Sequence, residues 1–216
     1  MERRIALKNM GLSLGYIVAT PTIIGLVQSC KNEKVLEWTP DFFSQEEGAM
    51  LTHLVDIILP KTDTPAASEL QVHLFIDRFA NEVLDQNQQD LLRLSTSKFV
   101  EKALKDSGKT KVADLEVADL EPVLAATLKV TKEDEKVYLE TINTYNKAVK
   151  NGESAQLNDV VSQFAFANDL RKLAIWGYKT SEFVGEEVLA YLPVPGEFVA
   201  CGDLQELTAG KAWSLG

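Results

Sequence analysis

Apolar residues in this chain recur at the spacing of helices, and no stretch alternates apolar and polar long enough for a strand. Ser44-Gln45-Glu46-Glu47 is a capping box, in which a serine oxygen and a glutamate three residues on satisfy each other's end of a helix. Leu51, Leu54, Val55 and Ile58 then fall on one face, and Pro60 ends the run. The same pattern predicts a helix over residues 69–84 with Val72, Ile76, Phe79 and Val83 buried. Another is predicted over 88–104 with Leu92, Phe99, Val100 and Leu104 inward, closed by Ser107-Gly108. A polar connection with a short turn spans 109–117. A short helix over 120–129 takes Asp119 as its cap and Pro122 in its first turn, where a missing amide costs least. Thr131 and Asp134 open a helix with the stripe Tyr138, Ile142, Tyr145 and Val149, stopped at Asn151-Gly152. The last long helix covers 155–178, and Asn168, Asp169 and Arg171 interrupt its apolar run. Ser181 caps a short helix reaching Tyr191. The expected fold is all-α: one helical-bundle domain of about six helices, residues 44–216. An irregular C-terminal segment packs across it, where Phe198, Leu204, Leu207 and Trp213 seek burial.

The first thirty residues have another character. Arg3, Arg4 and Lys8 precede residues 10–27, which carry no charge, and the run ends at Val27-Gln28-Ser29-Cys30. A basic start, an apolar middle and a small residue before a break make an export signal. Arg3-Arg4-Ile5-Ala6-Leu7-Lys8 resembles the twin-arginine type, with Ala6 smaller than usual. The end resembles a lipoprotein box, which implies cleavage before Cys30, acylation of its thiol and a membrane anchor. An uncleaved span is the competing reading, but Gly11, Gly15, Pro21 and Gly25 make it a weak one. Residues 31–43 read as a linker, charged first and aromatic at its end, that leaves the membrane and docks on the domain. The expected location is the periplasmic face of the envelope.

Charge narrows the function classes. The net charge is −10, and removing the basic leader takes it to −12. Such a chain does not suit nucleic acid, whose phosphates need a basic face. Nor does it suit a polybasic membrane contact. Once Cys30 is lipidated, Cys201 is the odd thiol, either buried or bridged to another chain, with burial the default.

A solo enzyme needs a constellation of reactive groups. His53 and His73 are the two histidines; His73 stands four residues from both Glu69 and Asp77, and His53 lies near Asp56. Such pairs are ordinary helix-surface or interface contacts, and their spacing does not favour zinc. There is no glycine-rich phosphate loop, dinucleotide fingerprint or nucleophile elbow. No catalytic, cofactor-binding or metal residue is expected in this chain. The Pro193–Cys201 stretch has a backbone preset by proline; it either docks a partner or packs on its own helices.

Two stretches together resemble the gluconate 2-dehydrogenase subunit 3 family. One is residues 59–67, Leu-Pro-Lys-Thr-Asp-Thr-Pro-Ala-Ala, followed by Val72 and Phe75-Ile76-Asp77. The other holds Gly177-Tyr178, Thr180-Ser181-Glu182, Tyr191, Pro193-Val194-Pro195-Gly196, Cys201-Gly202 and Gly210-Lys211-Ala212-Trp213. The resemblance implies a non-catalytic accessory subunit of a membrane-bound dehydrogenase. Its partner would be a large FAD-containing subunit that oxidises a sugar or sugar acid and passes electrons to a cytochrome c. A flavoprotein folds around FAD before export, and the twin-arginine route carries folded cargo, so a small subunit bearing the signal can escort it. Partner contacts are then expected at Tyr178, Ser181, Glu182, Tyr191, Pro193, Pro195, Gly196, Cys201 and Trp213. The alternative is a free-standing helical envelope lipoprotein that binds a small ligand.

Overall fold

The computed structural model describes residues 38–191, Gly196 and residues 201–214. The export and lipid positions Arg3, Arg4, Lys8 and Cys30 lie outside them, as do Pro193, Pro195 and Phe198. The described chain is all-α. In order come α1 (Gln45–Ile58), α2 (Val72–Glu82), α3 (Gln86–Ser107), a 3-10 turn (Val112–Asp114), α4 (Val117–Leu128), α5 (Lys132–Lys150) and α6 (Asp159–Lys179). A π-helical turn (Val184–Val188) and the short α7 (Leu204–Thr208) follow. Among the described residues the nearest thing to a sheet is one parallel bridge between Ala190 and Trp213.

The domain is assembled around α6. Phe164, Ala165, Phe166, Ala167 and Asn168 are all buried. Successive helical residues are about 100° apart, so five in a row face every direction and this middle stretch of the helix is enclosed on all sides. α1, α2, α3, α4 and α5 all touch it. Side-chain size decides how close each comes: Ala167, Ala174 and Gly177 admit near approach, while Phe166 stacks on Phe99 of α3 at 4.9 Å between ring centres. Phe99 is fully buried, at the heart of a core shared with Leu51, Leu54, Ile76 and Leu120.

Most helix ends obey local chemistry. Ser44 accepts the Glu47 amide while Glu47 reaches back to the Ser44 amide. Asn158 accepts the Val161 amide, so α6 begins at Asp159 rather than at 155. α3 starts two residues earlier than its apolar stripe implies, because Asp85 and Gln88 form a second reciprocal cap. Gly108, at φ 70°, closes it. α4 begins at Val117, and Asp119 sits in its third position, where it accepts the Glu116 amide instead of preceding the helix. Pro122 therefore falls in the second turn, and Ala118 loses its carbonyl's intrahelical partner.

α2 departs furthest from expectation. The Ala67 carbonyl takes the Val72 amide, and Gln71 turns left-handed at φ 58°, so residues 66–71 form a turn and the helix starts at Val72. Its buried face is Val72, His73, Ile76, Asp77 and Ala80. Val83 is 62 % exposed rather than buried, because the helix stops at Glu82 and Leu84 carries the apolar contact instead. α5 has no fully buried residue: Tyr138, Ile142, Tyr145 and Val149 face inward but stay half-exposed. Tyr138 holds it edge-on against Phe164 of α6 at 5.3 Å.

Phe42 and Phe43 are buried in the core, so the aromatic end of the 31–43 stretch docks as its composition implied. Asp77, only 2 % exposed, accepts the backbone amides of Asp41 at 2.7 Å, Phe42 at 3.1 Å and Phe43 at 3.0 Å. Arg93 lies 4.2 Å above the Phe42 ring, a cation–π contact. Replacing Asp77→Ala leaves three amides without an acceptor, each loss carrying a cost of about 1–3 kcal/mol where buried. The expected outcome is an unfolding free energy lowered by several kcal/mol, seen as a lower urea midpoint, and early proteolysis near residue 41, read by chemical denaturation and limited digestion.

Candidate partner-binding surface

The two stretches that carry the family resemblance meet in space. The Tyr178 hydroxyl, near the end of α6, stands 2.7 Å from Thr64 Oγ1 and 2.9 Å from the Pro65 carbonyl. A carbonyl only accepts, so the tyrosine proton goes there and the threonine hydroxyl supplies the other bond. Tyr178 is thus half-buried and serves the fold, pinning the 61–68 loop. That loop is also held by Lys61 to Glu69 at 2.7 Å and by the Ala66 amide on Glu69. These bonds hold the Glu69 carboxyl below its ordinary range, with the lysine the larger cause. Asp56 of α1 takes both the amide and the hydroxyl of Ser68, at 2.8 and 2.7 Å.

Gly177 shows why glycine occupies that place. A Cβ there would sit 2.5 Å from Phe75 Cδ1 of α2. The close approach lets Trp176 pack edge-on against both Phe75 and Phe79, at 5.1 and 5.5 Å. Trp176 is nevertheless exposed, as are Val83 and Phe183 nearby. A groove between α2 and α6 runs from Phe79 past Phe75 to Ser181. It opens there onto a second groove edged by Glu182, Glu186 and Glu187.

Of the expected partner contacts, Ser181 donates its hydroxyl to the Tyr178 carbonyl at 2.7 Å and so finishes α6. It does not begin a regular helix to Tyr191; the chain makes the π-helical turn instead. Glu182 is exposed on the acidic groove, and Gly196 is exposed. Tyr191 and Trp213 are exposed side chains at the bridge, where the Ala190 amide meets the Ala212 carbonyl at 2.8 Å and Ser214 returns the bond at 3.0 Å. Cys201 is a free, exposed thiol, which overturns the default expectation of burial. Leu204, Leu207 and Trp213 do not find the burial their composition suggests; Leu204 is 59 % exposed. Helix α7 is only five residues long and buries Thr208 alone.

The His73–Asp77 pair dissolves in the tertiary structure. Asp77 spends its carboxylate on backbone amides, and His73 faces Trp38, with ring centres 5.2 Å apart. Neither Trp38 Nε1 nor His73 Nδ1 has a hydrogen-bond partner among the described residues. Burial lowers the His73 pKa, with the nearby Asp56 carboxylate opposing the shift. Among the described residues no cluster of three or more His, Cys, Asp or Glu could hold a metal ion, and no helix is long and apolar enough to cross a membrane.

The geometry defines a class: a helical scaffold in which Tyr178 and Gly177 of α6 fix the 61–68 loop and α2, and in which large apolar side chains stay exposed. Residues 45–196 match the family described as gluconate 2-dehydrogenase subunit 3, and the chain belongs to that family. Its members are accessory subunits of a dehydrogenase complex. No curated protein and no solved structure matches the chain.

Two outcomes follow from this geometry. Gly177→Ala, which in an open helix stabilises by up to about 1 kcal/mol, here destabilises by about 1–3 kcal/mol because the Phe75 ring must move; thermal melting gives the sign. Acidification exposes the second. A histidine whose folded pKa lies below its unfolded value of 6.5 binds protons first in the unfolded chain, so stability falls as pH drops below 6.5. His73→Gln removes that dependence, and the loss between pH 7 and pH 5 in urea titrations becomes smaller than in the parent chain.

Proposed function

We propose that this chain is the non-catalytic small subunit of an exported FAD-dependent sugar or gluconate dehydrogenase. It acts as twin-arginine escort, scaffold and membrane tether for a flavoprotein catalytic subunit. The observation that carries this reading is the water-facing apolar surface at the end of the family-matched region and beyond it. Trp176, Phe183, Tyr191, Leu204, Leu207 and Trp213 are all exposed. An ordinary monomer buries such side chains or scatters them singly, and a cluster of large ones at one end of the chain suits a protein interface. Aromatic residues of this kind are also the side chains that dominate binding energy in known interfaces.

The division of labour has a physical basis. FAD is held by the large subunit, which passes electrons on to a cytochrome c. This chain supplies the signal at Arg3 and Arg4 with Lys8, and the lipid site at Cys30. Several acyl chains at one cysteine hold firmly, since each buried CH₂ contributes roughly 0.8 kcal/mol. The acidic body, at −12 without its leader, leaves the lipid as the membrane contact. In this reading the partner covers Cys201, which is an exposed thiol.

The test is purification of the tagged full chain from its native host. The expected outcome is a second, larger polypeptide with flavin absorbance in near-equal amount, located in the envelope fraction. Changing Arg3 and Arg4 both to lysine keeps the charge but leaves both polypeptides inside the cell. A chain that purifies alone, without flavin, defeats the proposal.

A further inference from the structure

We propose that the groove between α2 and the end of α6 receives a basic segment of the catalytic subunit, a stretch with large apolar side chains next to lysines or arginines. This inference rests on the accessory-subunit reading and names the surface and the chemistry of the contact. The groove has two halves. Leu74, Phe75, Phe79 and Val83 line the first. Trp176 of α6 stands beside it, packed on Phe75 and Phe79 and 48 % exposed. Leu70, Gln71 and Ser181 belong to both halves, so the surface is continuous. The second half is edged by Glu182, Glu186 and Glu187, with Phe183 exposed among them.

Charge selects the occupant. Glu182 and Glu186 stand four residues apart and Glu187 follows directly, so three carboxylates share the turn after α6. Like charges at such spacing repel one another. None of the three has an ion pair among the described residues. The other charges nearby cancel or are spent. Glu69 is held by Lys61 at 2.7 Å, and Lys211 gives its ammonium to the Glu187 backbone carbonyl at 2.9 Å. Arg78 and Glu82, one turn apart on α2, are of opposite sign. An acidic edge thus remains beside aromatic surface in contact with water. A lysine or arginine brought over Glu182, Glu186 and Glu187 relieves their repulsion, while its apolar neighbours cover Phe79, Val83 and Trp176. Arginine suits both halves, because its guanidinium pairs with carboxylates and stacks on aromatic faces. A second copy of this chain suits neither: each carries −12 without its leader, and two acidic bodies repel.

The test is crosslinking in the complex purified from the native host. Phe183→p-benzoylphenylalanine places a photoreactive ketone in the acidic half; Phe183 is exposed, so the melting temperature holds. Irradiation is expected to join this chain to the flavin-carrying polypeptide, and mass spectrometry to place the link within a segment rich in lysine or arginine. In parallel, Glu182, Glu186 and Glu187 are all changed to glutamine. Association of the full chain with the catalytic subunit then slows about 10-fold at low ionic strength, and the difference from the parent chain closes at about 0.5 M salt. A link to an acidic or uncharged segment, a link only to another copy of this chain, no link in a complex that contains flavin, or unchanged association of the glutamine variant would each overturn the groove assignment and leave the accessory-subunit reading standing. A chain that purifies without flavin removes both.

Discussion

Enclosing the middle of α6, Phe164 to Asn168, on every side is the constraint from which the architecture follows. A helix buried all round needs neighbours on each face, and a chain of this length meets that need with five helices laid against one. Small side chains on α6 set where those neighbours come nearest, and the large ones, Phe164 and Phe166, set where they stand back. Several of the polar groups carried inward are answered within their own helix. Ser162 bonds the Asn158 carbonyl, while Ser95 and Thr96 bond the Leu92 carbonyl within their own helix.

Around this axis, two contacts link distant parts of the sequence. Asp77 gathers the amides that precede α1, and Tyr178 reaches the loop that follows α1. Both residues look like candidates for chemistry or binding when read alone: a carboxylate four residues from a histidine, and a tyrosine beside a helix end. Their bonds are to backbone and loop hydroxyls, so their work is to hold α1 and α2 in place. A buried carboxylate with three amide donors is a strong anchor because charged hydrogen bonds are worth more than neutral ones.

What remains on the surface is apolar where water should be and acidic beside it. Trp176, seated on the half-buried Phe75 and Phe79, is exposed, as are Phe183, Tyr191 and Trp213. That distribution fits an accessory subunit of a dehydrogenase complex. A partly open cleft between α3, α5 and α6, lined by Leu92, Ile142 and Leu173, lies where α5 packs loosely.

The helices themselves were legible in the sequence because caps and apolar period act over four or five residues. Ser44 with Glu47 and Thr131 with Asp134 are local bonds; the first is the reciprocal capping box as read, whereas the second box is only half formed, because the Asp134 carboxylate takes the Thr131 hydroxyl instead of its amide. The missed starts had a signal too: Asp85 with Gln88, and Asn158 three residues before Val161. The family resemblance was equally legible, and the match over residues 45–196 covers its first stretch and its second as far as Gly196. Val83, Cys201 and the tail leucines were not, since apolar composition says that a side chain avoids water but not which surface is within its reach. The pairing of Asp77 with residues 41–43, the seat of Tyr178 on the 61–68 loop and the cleft beneath α5 were likewise invisible. Local sequence thus determined that the chain is helical, and roughly where each helix begins and ends. Tertiary structure decided which side chains meet and which stay exposed, because those contacts join residues 34 to 114 positions apart.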